Sequence, residues 1–204
     1  MQKLGLDLDN TIIIYDKLFF KVASERNLVS NEINPTKQSI RDDLRSKGLD
    51  SEFTKIQSVV YGERILEAKI ADGFKEFLNK IYGKFDIFIV SHKTQFPIKG
   101  KKYDLRAAAI NFLKTNSLIG NDDFLINEKN IFFESTKEDK IKRINDLSCD
   151  YFIDDLIEIL EDIGPKTKKI LYDPNSIYKI ENKIFKFNHW NIIYNFLNKD
   201  AIGR

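Results

Sequence analysis

Short apolar runs that end abruptly in polar residues recur along this chain, and they constrain its fold more than any other feature. "KFDIFIVS" (84–91), "NIFFE" (130–134), "DYFIDD" (150–155) and "KKILYD" (168–173) are four of them, and residues 3–8 form a fifth. A short run of this kind fits a strand buried on both faces, as in a parallel sheet covered by helices. Amphipathic helical stretches lie between the runs. Residues 71–83 place Phe74, Phe77, Leu78 and Ile81 on one face; residues 104–114 do the same with Leu105, Ala108, Ala109, Phe112 and Leu113. Further helices are expected over 135–147, over 156–165 with a stop at Gly164-Pro165, and over 189–199. In the last, Trp190, Ile192, Ile193, Phe196 and Leu197 face the core. The alternation after residue 72 predicts an α/β fold, a mainly parallel sheet with helices on both faces.

One block breaks this rhythm. Residues 16–69 read as mostly helical and fall between the first strand and the second. They are expected to form a small helical cap inserted after the first strand, leaving 1–15 and 70–204 as the α/β core. Tyr15, Phe19 and Phe20 are expected to pack beneath it. Helix starts are marked by Asn34 with Pro35 behind it and a stop at Gly48, by Asp72 with a stop at Gly83, by Asp104, and by a capping box from Ser135 to Glu138.

The bulk numbers exclude several classes. The chain has 204 residues, about the size of one domain with an insertion. Hydrophobic residues make up 42% and charged residues 31%, a globular composition. Lys+Arg 33 against Asp+Glu 31 leaves +2, which argues against nucleic-acid or anionic-lipid partners. Cys149 is the single cysteine and reads as a buried small hydrophobe; with two histidines it makes no zinc site. No run approaches the ~18 apolar residues of a membrane span, and the N-terminus has no signal-peptide pattern, so the cytoplasm is the expected location.

The polar ends of the strands carry the chemistry. Asp7 and Asp9 stand two apart in "LGLDLDNTIII", where burying an unpartnered carboxylate costs several kcal/mol or forces it to take a proton. Ser91 ends the second strand, Asp154 and Asp155 end the fourth, and a lysine, Lys137 or Lys140, lies between. In open parallel sheets ligands bind at the carboxyl ends of strands, so these scattered residues can converge. Lys137 sits in the first helical turn, where a cation opposes the helix dipole; Lys140, beside Ile141 and one turn from Ile144, borders the buried face and is favoured.

Together these residues resemble the haloacid dehalogenase superfamily. Its DxDxT motif is matched by Asp7-Leu8-Asp9-Asn10-Thr11, its second motif by "IFIVS" with Ser91, its third by the lysine, and its fourth by "YFIDD", in order. The resemblance implies a Rossmann-like α/β core and a Mg²⁺-dependent phosphatase acting on a small phosphorylated metabolite. It implies Asp7 as nucleophile, Asp9 as acid and base, and Ser91 and Lys140 on the transferred phosphoryl group. The implied metal ligands are the Asp7 side chain, the Asp9 backbone carbonyl and Asp155, with Asp154 orienting the lysine. Thr11 would steady the loop, and His92 and Lys93 would meet the substrate. Dehalogenases of the superfamily lack the second acid, so Asp9 points to phosphate esters.

Other uses of these residues remain open at the level of sequence. Asp155 can cap a helix starting at Leu156. His92 and the lysines between 93 and 102 can be a solvated loop. A vestigial phosphate-binding regulatory protein would keep the same residues, and a nucleotide-sugar transferase also uses Asp-x-Asp, though usually after a nucleotide-binding unit.

Overall fold

The computed structural model describes residues 1–120, 125–179 and 183–202. Its strands are β1 (Gln2–Leu6), β2 (Ile13–Ile14), β3 (Lys69–Ile70), β4 (Phe85–His92), β5 (Ile119–Gly120), β6 (Ile126–Asn127), β7 (Ile131–Glu134), β8 (Tyr151–Asp154), β9 (Lys168–Tyr172) and β10 (Ile184–Phe187). Its α-helices are α1 (Asp16–Glu25), α2 (Lys37–Ser46), α3 (Asp50–Ser58), α4 (Phe74–Ile81), α5 (Leu105–Thr115), α6 (Lys137–Leu147), α7 (Ile157–Asp162) and α8 (Trp190–Ile202). The chain divides into two compact units, 1–12 with 70–92 and 117–204, and 13–69 with 93–116.

The first unit holds a six-stranded sheet in the order β10-β9-β8-β1-β4-β7, with every pairing parallel. The chain steps outward from β1 through β4 to β7, then returns to the other side of β1 for β8, β9 and β10. That reversal opens a crevice at the carboxyl ends of β1 and β8. Leu6 lies opposite Ile89 on one side and Ile153 on the other. The Asp7 N–H continues the ladder by donating to the Ile153 carbonyl at 2.8 Å.

Alternation along the strands gives each face its own helices. Val90, Phe152 and Leu171 pack with Ile144 of α6 and Ile159 and Leu160 of α7. On the other face Tyr151 meets Phe85, and Tyr172 meets Trp190 of α8, which in turn lies against Phe74 and Phe77 of α4. Gly5 lets β1 and β8 approach, because a Cβ there would fall 2.4 Å from Phe152 Cδ2.

The second unit is helical: α1, α2, α3, a π-helical turn (Val59–Glu63), a 3₁₀ turn (Ile65–Glu67) and α5. The sequence placed residues 93–116 in the α/β core, whereas their contacts place them with the helical block. Leu105, Ala109, Phe112 and Leu113 of α5 are buried, and α5 packs on the π-helical and 3₁₀ turns.

Several local expectations shift by a residue or two. The α2 cap is Thr36, not Asn34, and the α6 cap is Thr136, not Ser135. Each hydroxyl accepts the N–H three residues on, from Ser39 and from Asp139. Asp72 does not cap α4, which starts behind Gly73 at φ +81°. Asp104 does cap α5, accepting from the Arg106 and Ala107 N–H groups. β10 escaped the sequence reading because "IFKF" is short and only partly buried. Ile192, expected in the core, is 45% exposed, while Trp190, Ile193 and Leu197 are fully buried. No helix among the described residues is long and apolar enough to cross a membrane.

Candidate active site

The carboxyl ends of β1 and β8 bring Asp7, Asp154 and Asp155 together, with one carboxylate oxygen of each lying within 4.8 Å of the others. Lys140, from the buried side of α6, reaches between the first two. Its Nζ donates to Asp7 Oδ1 and to Asp154 Oδ2, both at 2.6 Å. All three side chains are nearly inaccessible: Asp7 is 5% exposed, Lys140 2% and Asp154 0%. Lys137, one turn earlier, is half-exposed and pairs instead with Asp162 at 2.9 Å. Helical phase decides between the two lysines, since Lys140 lies one turn before buried Ile144.

Both oxygens of Asp154 accept hydrogen bonds. Its second oxygen, Oδ1, accepts the Leu156 N–H at 2.9 Å and so caps the turn leading into α7. Asp155, half-buried, does not cap α7, which starts after Leu156 with no side-chain cap.

Burial dominates the electrostatics of this cluster. It pushes the Asp7 carboxyl up to about 7; the Lys140 ammonium opposes that rise, and the charges of Asp154 and Asp9 add to it. For Lys140 burial acts downward, but the carboxylates of Asp154 and Asp7 outweigh it and hold the amine well above its ordinary value. The donor atoms that Asp7, Asp154 and Asp155 bring together are all carboxylate oxygens. Hard divalent cations take oxygen ligands, so the donor set fits Mg²⁺.

Further motif residues lie on the turn after β1 and at the end of β4. Asn10, at φ +61°, turns the chain after β1, and the Ile12 N–H closes the turn on the Leu8 carbonyl at 2.9 Å. Asp9 is half-buried on that turn and Thr11 fully buried within it. Ser91, near the end of β4, is 1% exposed. The hydroxyls of Thr11 and Ser91 have no hydrogen-bond partner among the described residues. A buried hydroxyl without a partner costs about 1–3 kcal/mol, so the Ser91 position suits an incoming oxygen acceptor. His92 is exposed at the strand end, and its Nε2 lies 3.1 Å from the Ser135 carbonyl oxygen. Lys93 belongs to the helical unit and is only 4% exposed, contrary to a solvated loop.

Two features lay outside the sequence reading. Asp173, behind β9, is buried and accepts the N–H groups of Ile177 and Tyr178 at 2.9 and 3.0 Å. The signal was available, because "KKILYD" repeats the pattern of an apolar run ending in an acid. Tyr61 and Lys37 of the helical unit carried no such signal.

This sheet, its order and its site position define the haloacid dehalogenase-like fold. A haloacid dehalogenase-like hydrolase from Streptococcus pneumoniae superposes with a TM-score of 0.63 at 14% identity, covering 96% of this chain and 98% of that one. A protein of Bacillus subtilis, assigned as a hydrolase of the same superfamily and described as bound to magnesium, gives 0.59 at 15% identity, covering 97% and 98%. A Lactobacillus plantarum protein assigned as a phosphoglycolate phosphatase gives 0.58 at 13% identity, covering 95% and 98%. At these identities the likeness is one of fold. No protein-family model matches the chain, and no curated protein matches it by sequence.

Proposed function

We propose that this chain is a hydrolase, a Mg²⁺-dependent phosphatase of a small phosphorylated metabolite such as a sugar or nucleotide phosphate. The observation that carries the reading is Asp7. It is a buried carboxylate at a strand end, bonded to Lys140 and grouped with Asp154 and Asp155. A purely structural carboxylate has little reason to be placed in such company. The neighbours assigned as a phosphatase and described as magnesium-bound support the same reading.

In this reading the Asp7 and Asp155 side chains and the Asp9 carbonyl oxygen would hold Mg²⁺. Bound there, the ion would neutralise charge between the attacking carboxylate and the phosphoryl oxygens. The chain's own residues do the rest. An Asp7 oxygen attacks phosphorus, the bond to the leaving oxygen breaks, and the Asp9 carboxyl protonates that oxygen. Asp9, now a carboxylate, takes a proton from water. The water oxygen attacks phosphorus, and the bond to Asp7 breaks. Ser91 donates to a phosphoryl oxygen, and Lys140, fixed by Asp154, offsets developing negative charge.

The test is phosphate release from p-nitrophenyl phosphate with Mg²⁺ or EDTA. Asp7→Asn is expected to abolish turnover, and Asp9→Asn to slow it roughly 10²–10⁴-fold. Undiminished release by Asp7→Asn would remove Asp7 as nucleophile. Tight phosphate binding without turnover across a broad ester panel would point to the vestigial binding protein instead.

A further inference from the structure

A cavity of about 290 Å³ lies at the end of the sheet remote from the acid cluster. Gln2 and Phe85, opposite each other at the amino ends of β1 and β4, contribute to its lining. So do Ile81, the last residue of α4, and Lys84 behind it. Tyr194, Asn198 and Ala201 of α8 complete it; spaced four and three apart, they share one face of the helix. Every lining residue belongs to the first unit. From Gln2 to Asp7 the chain advances about 16 Å at the usual strand rise, so the cavity and the acid cluster are separate places.

The polar part of this lining is not used by the fold. The side chains of Gln2, Tyr194 and Asn198 make no hydrogen bond among the described residues, so two amides and a phenol stay open to solvent or a ligand. Lys80 and Lys84 bring their Nζ atoms to 5.1 and 5.4 Å from the centre of the Tyr194 ring. Neither ammonium forms an ion pair among the described residues. Lys80 donates to Asn191 Oδ1 at 2.8 Å and sits in the last turn of α4, where a cation suits the helix end. Lys84 lies past that turn, which its N–H closes on the Ile81 carbonyl at 3.0 Å, and its exposed side chain stands at the cavity.

Size and chemistry together select an occupant. An apolar cavity of about 150 Å³ is enough for benzene, so this one has room for an aromatic ring with a short substituent. Ile81, Phe85 and Ala201 supply apolar contact, and the Tyr194 ring offers an aromatic partner. A cationic substituent would be repelled by both lysines. One lining ammonium matches one negative charge, which is a carboxylate rather than a phosphate dianion. We propose that this cavity binds a small aromatic carboxylate, with its ring against Phe85 and Tyr194 and its carboxylate toward Lys84. The inference concerns binding at the far end of the sheet and does not rest on the hydrolytic reading.

The experiment is a ligand-observed NMR titration of the full chain with benzoate, at low ionic strength with EDTA present. Benzyl alcohol, a ring without the charge, and acetate, a charge without the ring, are the comparison ligands. The native chain is expected to bind benzoate saturably, roughly fivefold or more tighter than benzyl alcohol, and to bind acetate more weakly still. Lys84→Met and Ala201→Phe are each checked for a cooperative melt. Lys84→Met is expected to lose roughly fivefold in benzoate affinity, and Ala201→Phe, which fills the cavity, to abolish binding. Asp7→Asn, at the other end of β1, is expected to bind benzoate as the native chain does. Lys84→Met carries the test if Ala201→Phe does not fold, since Lys84 is exposed. No saturable binding of benzoate by the native chain, equal binding of benzyl alcohol, native affinity in Lys84→Met, or loss of binding in Asp7→Asn alone would each overturn the proposal. Hydrolysis of p-nitrophenyl phosphate is scored separately, so failure of one reading leaves the other standing.

Discussion

Replacing Lys140 with methionine probes the cluster most directly. Methionine keeps most of the stem's volume and removes the charge. At 2.6 Å each contact to Asp7 or Asp154 represents about 6 kcal/mol of attraction at an effective dielectric near 20. Most of that attraction is offset by stripping water from the ammonium and the carboxylates, several kcal/mol per ion. What remains after removal is two carboxylates, 5% and 0% exposed, with no counter-ion between them. Breaking a buried pair in this way costs about 3–5 kcal/mol. For a chain of this size that lowers the melting midpoint by roughly 6–20 °C. The assay is calorimetric or circular-dichroism melting in EDTA, repeated with Mg²⁺. Lys140→Met is expected to melt well below the native chain in EDTA and to recover part of the loss with Mg²⁺. Adding Asp154→Asn, which keeps an acceptor for the Leu156 N–H, should return at least about 1 kcal/mol by removing one stranded charge. A Lys140→Met midpoint within about 2 °C of native in EDTA would refute the argument, since the two contacts would then contribute nothing net.

Three further outcomes follow from the packing. Gly5→Ala forces the Phe152 ring aside and should cost about 1–3 kcal/mol in urea unfolding; because that ring lies 5.8 Å from Lys140 Nζ, the proposed hydrolytic activity should fall with it. Asp104→Ala removes the α5 cap and should cost about 1 kcal/mol at neutral pH. Hydrogen bonds from the Ala107 N–H and the Gln95 side chain depress the Asp104 carboxyl in the folded state, so its contribution is full above pH of roughly 4 and is lost as pH falls toward the depressed value; the native–variant gap should close there. Burial pushes the Cys149 thiol up to about 11, so alkylation at pH 8 should be slow in native protein and fast in denaturant.

What could be read beforehand followed the physics of short-range pattern. Apolar runs ending in Ser91 or in Asp154-Asp155 announce strands and their ends, because a parallel strand buried on both faces leaves polar residues only where it emerges. Asp104 was legible as a cap because it directly precedes an apolar-periodic stretch. At Thr36 and Thr136 several hydroxyl and amide residues compete within three positions, and only the backbone turn decides which one caps. The burial of Lys93 was hidden for a different reason. Its sequence neighbours are polar, but its stem can lie on aromatic surface supplied by Tyr61, more than thirty positions away. Residues 93–116 joined the helical unit for the same reason, since the partners of α5 are distant in sequence. Periodicity reports which face of an element is apolar and not what covers it.

The central place of β1 also bears on how the molecule is made. Its neighbours in the sheet are β4 and β8, and Lys3 is hydrogen-bonded to Asp150, 147 residues further on. At about 5–20 residues per second, a ribosome needs roughly 7–30 s to deliver β8 after β1. Throughout that interval one side of β1 and the Asp7 carboxyl wait without the strand that will enclose them. Nascent chains arrested before residue 150 should therefore engage holding chaperones through β1, and should release them only once β8 is complete.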